Sequence, residues 1–430
     1  MIAIILTLFF VLAIIGVPVG IVVALTTLFG FFYTDNAVFL SMISQRMFSA
    51  MDSFTFLALP FFLLAGDIMN KVGLTGRLVD FANLFFGRLK GGLAQVNIVT
   101  SIIFGGISGA AVADTAALGR IFIPAMTEQG YERDFSTAVT VASSIIAPII
   151  PPSIIMVLYG SIMEVSIAGL FAAGIVPGLM IGVVLMILTR IIANRRNYPT
   201  NPEKITFPRI VKRTRGAMWA LMMPVIILGG ILGGFFTPTE AAAVAVGFAL
   251  FVGLAVYRNL TFKDLYNIFF KSAVTMGVIT MLLSAATVLA WFLAIEQIPE
   301  MVAHLFMSVS NNKYIVLLLC NIFLVIVGMF LDIGPALLIL GPVLAPLAIN
   351  LGVHPLHFGI MMCVNLNIAL MTPPMGACLF MGMIVGKLKL GELVRALWPF
   401  ILAEFFVLAL VIYIPAITMW IPGKLGFVKF

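Results

Sequence analysis

Apolar residues run in long blocks, and the polar positions between them fall into an order that occurs twice. Residues 1–15 and 20–32 read as two helices joined at Gly16, Pro18 and Gly20. Residues 36–52 mix Arg46 and Asp52 with Phe and Met, the pattern of an amphipathic helix lying at a membrane interface. A spanning block at 54–69 and a second interfacial segment at 75–89 follow. The order restarts at 221–252, where two apolar runs meet at Thr237-Pro238-Thr239-Glu240. It continues with an amphipathic stretch at 259–271 (Lys263, Asp264, Lys271), a spanning block at 274–293 and an interfacial segment at 299–309. Each half closes on one more spanning block, at 168–192 and 397–420. Blocks of about 18 apolar residues or more cross a bilayer of roughly 30 Å, and none of the alternating segments of a β-barrel occur. The pattern predicts an all-α polytopic membrane protein with about ten crossings and two re-entrant hairpins.

Between the second interfacial segment and the closing block of each half lies a duplicated stretch. Gly106, Gly119, Pro124, Gly130, Pro151 and Gly160 recur as Gly328, Gly341, Pro346, Gly352, Pro373 and Gly382, at one offset of 222 residues. In hydrocarbon, such breakers are tolerated only where protein or a water-filled cavity covers the freed backbone. The first part of each copy carries Gly105-Gly106-Ile107-Ser108-Gly109 with Asp114, or Gly328, Asp332, Gly334 and Pro335. A re-entrant hairpin with its tip at mid-depth fits both. The second part is a helix broken at Pro148 and Pro151-Pro152, or at Pro373-Pro374. One Pro-Pro alone is often a kink, and one Gly-Gly is often close helix packing. Joint recurrence at one offset favours a site. Unwound carbonyls beside Ser, Thr or Asn oxygens suit a hard cation such as Na⁺, and half-helix N-termini suit an anionic substrate. The copies differ chemically: Asp114 has Ala336 as its twin, and Asp332 has Ala110.

The domains follow. Repeat 1 is 1–190, with scaffold and arm helices at 1–90, hairpin and broken helix at 95–160 and closing helix at 168–192. A basic linker covers 191–216. Repeat 2 is 217–430, with the same parts at 217–312, 314–386 and 397–420.

Composition and charge add orientation. The chain is 62% hydrophobic and 10% charged, against about 25% charged for a soluble protein. The net charge of +7 comes from short inter-helix loops, not a nucleic-acid surface. Arg190, Arg195, Arg196, Lys204, Arg209, Lys212, Arg213 and Arg215 make the linker cytoplasmic. Lys71, Arg77, Arg88 and Lys90 mark the second interfacial segment of repeat 1, while its counterpart holds Glu296, Glu300 and only Lys313. The first interfacial segment is basic in repeat 2 instead. Basic loops that trade places this way predict two inverted-topology repeats and an external N-terminus. Lys424 and Lys429, on the outside in this scheme, run against it. The N-terminal block lacks the basic region and cleavage site of a signal peptide. Cys320, Cys363 and Cys378 read as small core residues, and His354 and His357 lack the further ligands a transition metal needs. Glu164, Glu240, Glu296 and Glu404 read as interfacial or structural.

These motifs carry a resemblance over essentially the whole chain. Gly105-Gly106-Ile107-Ser108-Gly109 with Ala113-Asp114, Pro124 with Gly130, the run from Ser144 through Pro148 and Pro151-Pro152 to Ser153, and Thr372-Pro373-Pro374-Met375-Gly376 are similar to the large membrane subunit (M subunit) of a tripartite ATP-independent periplasmic (TRAP) transporter. The resemblance implies a Na⁺-driven, elevator-type importer of organic acids in the bacterial inner membrane. It implies as partners a small four-helix membrane subunit (Q) and a periplasmic substrate-binding protein (P). No further helices precede Met1, so a separate small subunit is expected. Carried onto these positions, the first Na⁺ lies near Gly106, Ser108, Ser144, Pro148 and Ser153, and the second near Gly328, Asp332, Asn367, Thr372 and Met375. The substrate lies near Ser108, Gly109, Asn365, Thr372 and Pro373. Overall likeness leans to sialic acid over C4-dicarboxylates. External loops near Asn311 and His354 are candidate contacts for the binding protein.

The alternative is an ion channel with two re-entrant pore loops, which would need a continuous pore and no amphipathic arms. An enzyme lacks support: no Ser/His, His-Glu or paired-Asp arrangement appears, and no GxxxxGK[ST] loop for ATP hydrolysis. No organic cofactor is implied.

Overall fold

The structure, a computed structural model, describes residues 2–34, 36–200, 207–310 and 312–428. Lys204 and Lys429, which entered the orientation argument, and Asn311, a candidate contact for the binding protein, lie outside the described residues. Every regular element within them is helical. The first half runs α1 (Ile2–Ile14), α2 (Val19–Tyr33), α3 (Ile43–Met51), α4 (Ala58–Lys71), α5 (Leu74–Phe86), α6 (Gly92–Ser108), α7 (Ala111–Glu128), α8 (Arg133–Ser144), α9 (Ile154–Ile162) and α10 (Ile167–Arg195). The second runs α11 (Phe207–Leu232), α12 (Pro238–Phe251), α13 (Phe262–Ile295), α14 (Ile298–Val309), α15 (Lys313–Gly328), α16 (Ile333–Asn350), α17 (Pro355–Ala369), α18 (Ala377–Gly386), α19 (Leu390–Tyr413) and α20 (Ala416–Lys424).

Caps explain several boundaries. Pro18 precedes α2, where its missing N–H is no loss. Thr237 and Glu240 form a capping box on α12, as Thr261 and Asp264 do on α13. Among the described residues seven helical stretches are long and apolar enough to cross a bilayer. The apolar helices α2, α6, α17 and α18 are only 10–17 residues each, shorter than the blocks behind the estimate of ten.

Three boundaries differ from expectation. The amphipathic stretch at 259–271 and the spanning block at 274–293 are one continuous helix, α13. Its counterpart breaks between α3 and α4 at Asp52-Ser53, whereas Lys271-Ser272-Ala273-Val274 carries no such Asp-Ser pair and stays helical. The block at 397–420 divides into α19 and α20 at Pro415. Helix α11 starts at Phe207, so Lys212, Arg213 and Arg215 lie on a helix rather than in a loose linker.

Packing between the halves is reciprocal. Helix α2 lies on α13 and α12 on α4; α7 lies on α18 and α16 on α9; α8 lies on α19 and α17 on α10. Close approaches give directions. A Cβ on Gly20 would meet Leu282 and one on Gly30 would meet Phe292, so α2 runs parallel to the end of α13. Thr239 donates to the Phe54 carbonyl at 3.1 Å and Gly253 abuts Val72, so α12 runs parallel to α4.

The polar contacts between arms separate into two ends. At one, Lys71 pairs with Asp264 at 2.7 Å and Lys271 with Asp67 at 3.4 Å. There Arg77 also lies 3.7 Å over the Tyr257 ring, and Asn259 donates to the Val72 carbonyl. At the other, Asn36 donates to Glu296 at 2.8 Å and Arg46 lies 4.8 Å over Trp291. One large apolar core joins both halves, and a smaller one lies between α1, α2 and α13.

Candidate functional site

The first hairpin turns at Gly109, whose left-handed backbone (φ +59°) ends α6 and suits glycine. The glycines behind it are a docking face for the broken segment after α8. A Cβ on Gly105 would stand 2.7 Å from the Ala147 Cα, one on Gly106 3.4 Å from the Pro151 carbonyl, and one on Gly109 3.1 Å from the Pro152 carbonyl. Tip and break therefore touch backbone to backbone. In the second half, a Cβ on Gly328 would stand 2.6 Å from the Ala369 Cβ, so α15 closes on the end of α17 in the same way. The Pro151-Pro152 and Pro373-Pro374 peptide bonds are both cis.

The breaks release carbonyls, and the two copies satisfy them differently. Pro152 has no N–H to give the Pro148 carbonyl one turn back. The Ser153 hydroxyl takes that place at 2.5 Å and accepts from the Met156 N–H, capping α9. The corresponding carbonyl, Leu370, accepts from the backbone N–H groups of Cys378 and Leu379 instead. Met375 stands where Ser153 would and is 55% exposed. Pro373 is half-buried.

The side-chain donors at both breaks are committed to protein, which leaves oxygens. Ser108 donates to Asp114 at 2.5 Å and Ser144 donates to the Thr140 carbonyl at 2.6 Å. Thr372 donates to Ile368 O, Asn367 to Cys363 O, and Asn365 to the backbone and side-chain oxygens of Asn321. The Oδ1 atoms of Asn365 and Asn367 and the Oδ2 of Asp114 are buried with no hydrogen-bond partner among the described residues. Oxygens left free beside committed donors have the chemistry that a hard cation needs of its ligands. Buried polar pairs tie each hairpin to its broken helix: Asn97 with Thr140 and Ser101 with Ser143, then Asn321 with Asn365.

Two acids sit differently. Asp114 is fully buried on α7. Asp332 is exposed and caps α16 by accepting from the Ile333 N–H at 2.9 Å. Glu404 is fully buried on α19, and neither carboxylate oxygen has a partner among the described residues. It is therefore not interfacial; Glu164 and Glu240 are exposed as anticipated. The part played by Asp114 was legible only as a repeat mismatch, because its contact with Ser108 depends on how tightly the tip turns. A separate cavity of about 970 Å³ opens between α3, α13, the α9–α10 connection and α16, and Arg46, Asp52, Glu164, Thr287, Pro342 and Pro346 line it. It does not include the tips. Among the described residues no group of His, Cys, Asp and Glu is arranged to hold a metal.

Over residues 6–417 the sequence matches the family model described as the tripartite ATP-independent periplasmic transporter, DctM component. It is 40% identical over 407 residues to the sialic acid TRAP transporter large permease protein SiaM of Vibrio cholerae, with 95% of each chain covered. It is 37% identical over 381 residues to the C4-dicarboxylate TRAP transporter large permease protein DctM of Pseudomonas aeruginosa, with 89% of each covered. Among solved structures the fold is similar to the YdaH transporter of Alcanivorax borkumensis, with a TM-score of 0.61, 13% identity and 87% of each chain covered. That likeness concerns the fold alone.

Proposed function

The chain belongs to the DctM-component family of tripartite ATP-independent periplasmic transporters, and on that premise we propose that it is the translocating subunit of a Na⁺-coupled importer of an organic acid. It is a multi-pass protein of the bacterial inner membrane. The observation that carries the coupling is the set of oxygens with committed donors at the two breaks. The first Na⁺ site draws on Gly106, Ser108, Ser144, Pro148 and Ser153, with Asp114 turning the Ser108 hydroxyl so that its lone pairs face inward. The second draws on Gly328, Asp332, Asn367, Thr372 and Met375. The substrate carboxylate sits between the tips, near Ser108, Gly109, Asn365, Thr372 and Pro373, where bound Na⁺ offsets its charge.

The repeats are inverted, and the reading has support at the arms and the closing helices. The basic segment of the first half contacts the basic segment of the second through Lys71, Asp264 and Lys271, as an inverted pair requires. The C-terminal end of α10 meets the N-terminal end of α19, so the closing helices are antiparallel neighbours. The hairpins and broken helices move as one body against the arms, an elevator that carries the site across. The cavity of about 970 Å³ between arms and hairpin domain is the space such a movement uses. A small membrane subunit and a periplasmic binding protein complete the system. The names of the relatives make sialic acids and C4-dicarboxylates the substrates to try first.

Proteoliposomes holding the protein and its two partners test the proposal. An organic acid accumulates only under an inward Na⁺ gradient; unchanged uptake with K⁺ in place of Na⁺ would sink the coupling.

A further inference from the structure

The end of the molecule where α10 stops and α19 begins carries a feature the transport reading does not use. A cavity of about 200 Å³ lies there, lined by Phe135, Ile192, Arg195, Arg196, Arg395 and Pro399. Arg196 is held within the protein: it pairs with Glu132, donates to the Tyr198 hydroxyl at 3.3 Å and lies 5.8 Å over the Phe135 ring. Arg195 and Arg395 are exposed and form no ion pair among the described residues. A cation in the last turn of α10 has an ordinary reason, because the helix dipole favours it there. Arg395 has none. It lies in the second turn of α19, past the reach of the helix dipole.

What runs away from these arginines decides the ligand. On α10, Leu179, Val183, Ile187 and Ile191 are exposed at four-residue spacing, and the next step of the stripe is Arg195. On the neighbouring α19, Trp398, Leu402 and Phe406 are exposed at the same spacing, and Arg395 precedes Trp398 by three residues, on the same side of the helix. Two apolar stripes on adjacent antiparallel helices thus end on two unpaired guanidiniums with a cavity between them. Guanidiniums fit a phosphate with two parallel donors, and the stripes offer acyl chains a surface that a free ion has no use for.

We propose that this junction binds an anionic phospholipid, with its phosphate between Arg195 and Arg395 and its chains along the two stripes. The proposal stands on this surface alone and does not depend on which solute is carried. The lipid bridges the closing helices of both halves at their basic end.

Native mass spectrometry and thermal unfolding of the detergent-solubilised protein with added phosphatidylglycerol, phosphatidylethanolamine or inorganic phosphate are the test. Phosphatidylglycerol stays bound and raises the Tm; the zwitterionic lipid and free phosphate do neither. The Arg195→Gln/Arg395→Gln pair binds phosphatidylglycerol about 30-fold more weakly, the loss of two interfacial cations. Lys424→Gln, an exposed cation elsewhere, leaves binding unchanged. Equal binding of the two lipids by the wild type overturns the proposal, and so does protection by phosphate alone, which would mean a free-anion site. Undiminished binding in the double variant, or an equal loss in Lys424→Gln, overturns it too. The wild-type comparison decides the matter even if the double variant does not fold.

Discussion

At the first break Pro151, Pro152 and Ser153 are buried, whereas at the second Pro374 and Met375 stand exposed. The acids follow the same division, with Asp114 buried against Ser108 and Asp332 exposed as a helix cap. The same glycine–proline skeleton therefore supports a sealed half and an open half. Side-chain chemistry compensates for the skeleton in the first, where Ser153 satisfies the carbonyl that Pro152 orphans. Backbone does so in the second, through Cys378 and Leu379. A duplicated motif fixes where the chain breaks. The residues between the breakers decide which face stays accessible.

The acids give the sharpest test of that division. Asp332→Ala removes an exposed helix cap that accepts only from the adjacent Ile333 N–H, so it costs about 0.5–1 kcal/mol, the low end for such a cap. It lowers Na⁺ affinity in uptake assays about 10- to 100-fold, the worth of one charged ligand. Asp114→Ala does the opposite first. It takes the acceptor from the half-buried Ser108 hydroxyl and empties a fully buried position, destabilising the protein by about 1–3 kcal/mol, read as a lower Tm. Equal effects of the two variants on stability would erase the distinction between the halves.

Packing sharpens the comparison at the next level. The Cβ of Gly105→Ala would meet Ala147 backbone at 2.7 Å, which neither element relieves without moving the break. Overpacking of this kind destabilises by about 1–3 kcal/mol. At the second tip, Gly334→Ala meets only Leu282 at 3.9 Å, and its Tm is unchanged. A tolerated Gly105→Ala would mean the first tip and break are not in backbone contact.

Much of this was visible in the chain. Gly109 and the two Pro-Pro pairs mark the breaks because their backbone chemistry acts locally, whatever packs around them. The basic segments that meet through Lys71 and Asp264 were legible because their charge follows topology, not contacts. The join of the interfacial and spanning segments into α13 was not, because amphipathic and apolar stretches make one helix unless a breaker such as Asp52-Ser53 divides them. The burial of Glu404 was not legible either. One carboxylate in an apolar run looks the same whether its face meets lipid headgroups or the packed interior.

The smallest effect concerns the carbonyls themselves. Ser153→Ala leaves the Pro148 carbonyl and the Met156 N–H without partners. Loss of a helix cap destabilises by about 0.5–2 kcal/mol, and Ser153→Thr, which keeps the hydroxyl, restores the Tm. The mirror experiment is Met375→Ser. It adds a hydroxyl at the matching position, but the Leu370 carbonyl already accepts from two N–H groups, and the position is exposed. Its stability therefore stays within about 0.5 kcal/mol of the parent. A clear gain from Met375→Ser would mean that the second break lacks a donor, as the first does without Ser153. The two halves would then differ only in which of them has been supplied with a hydroxyl.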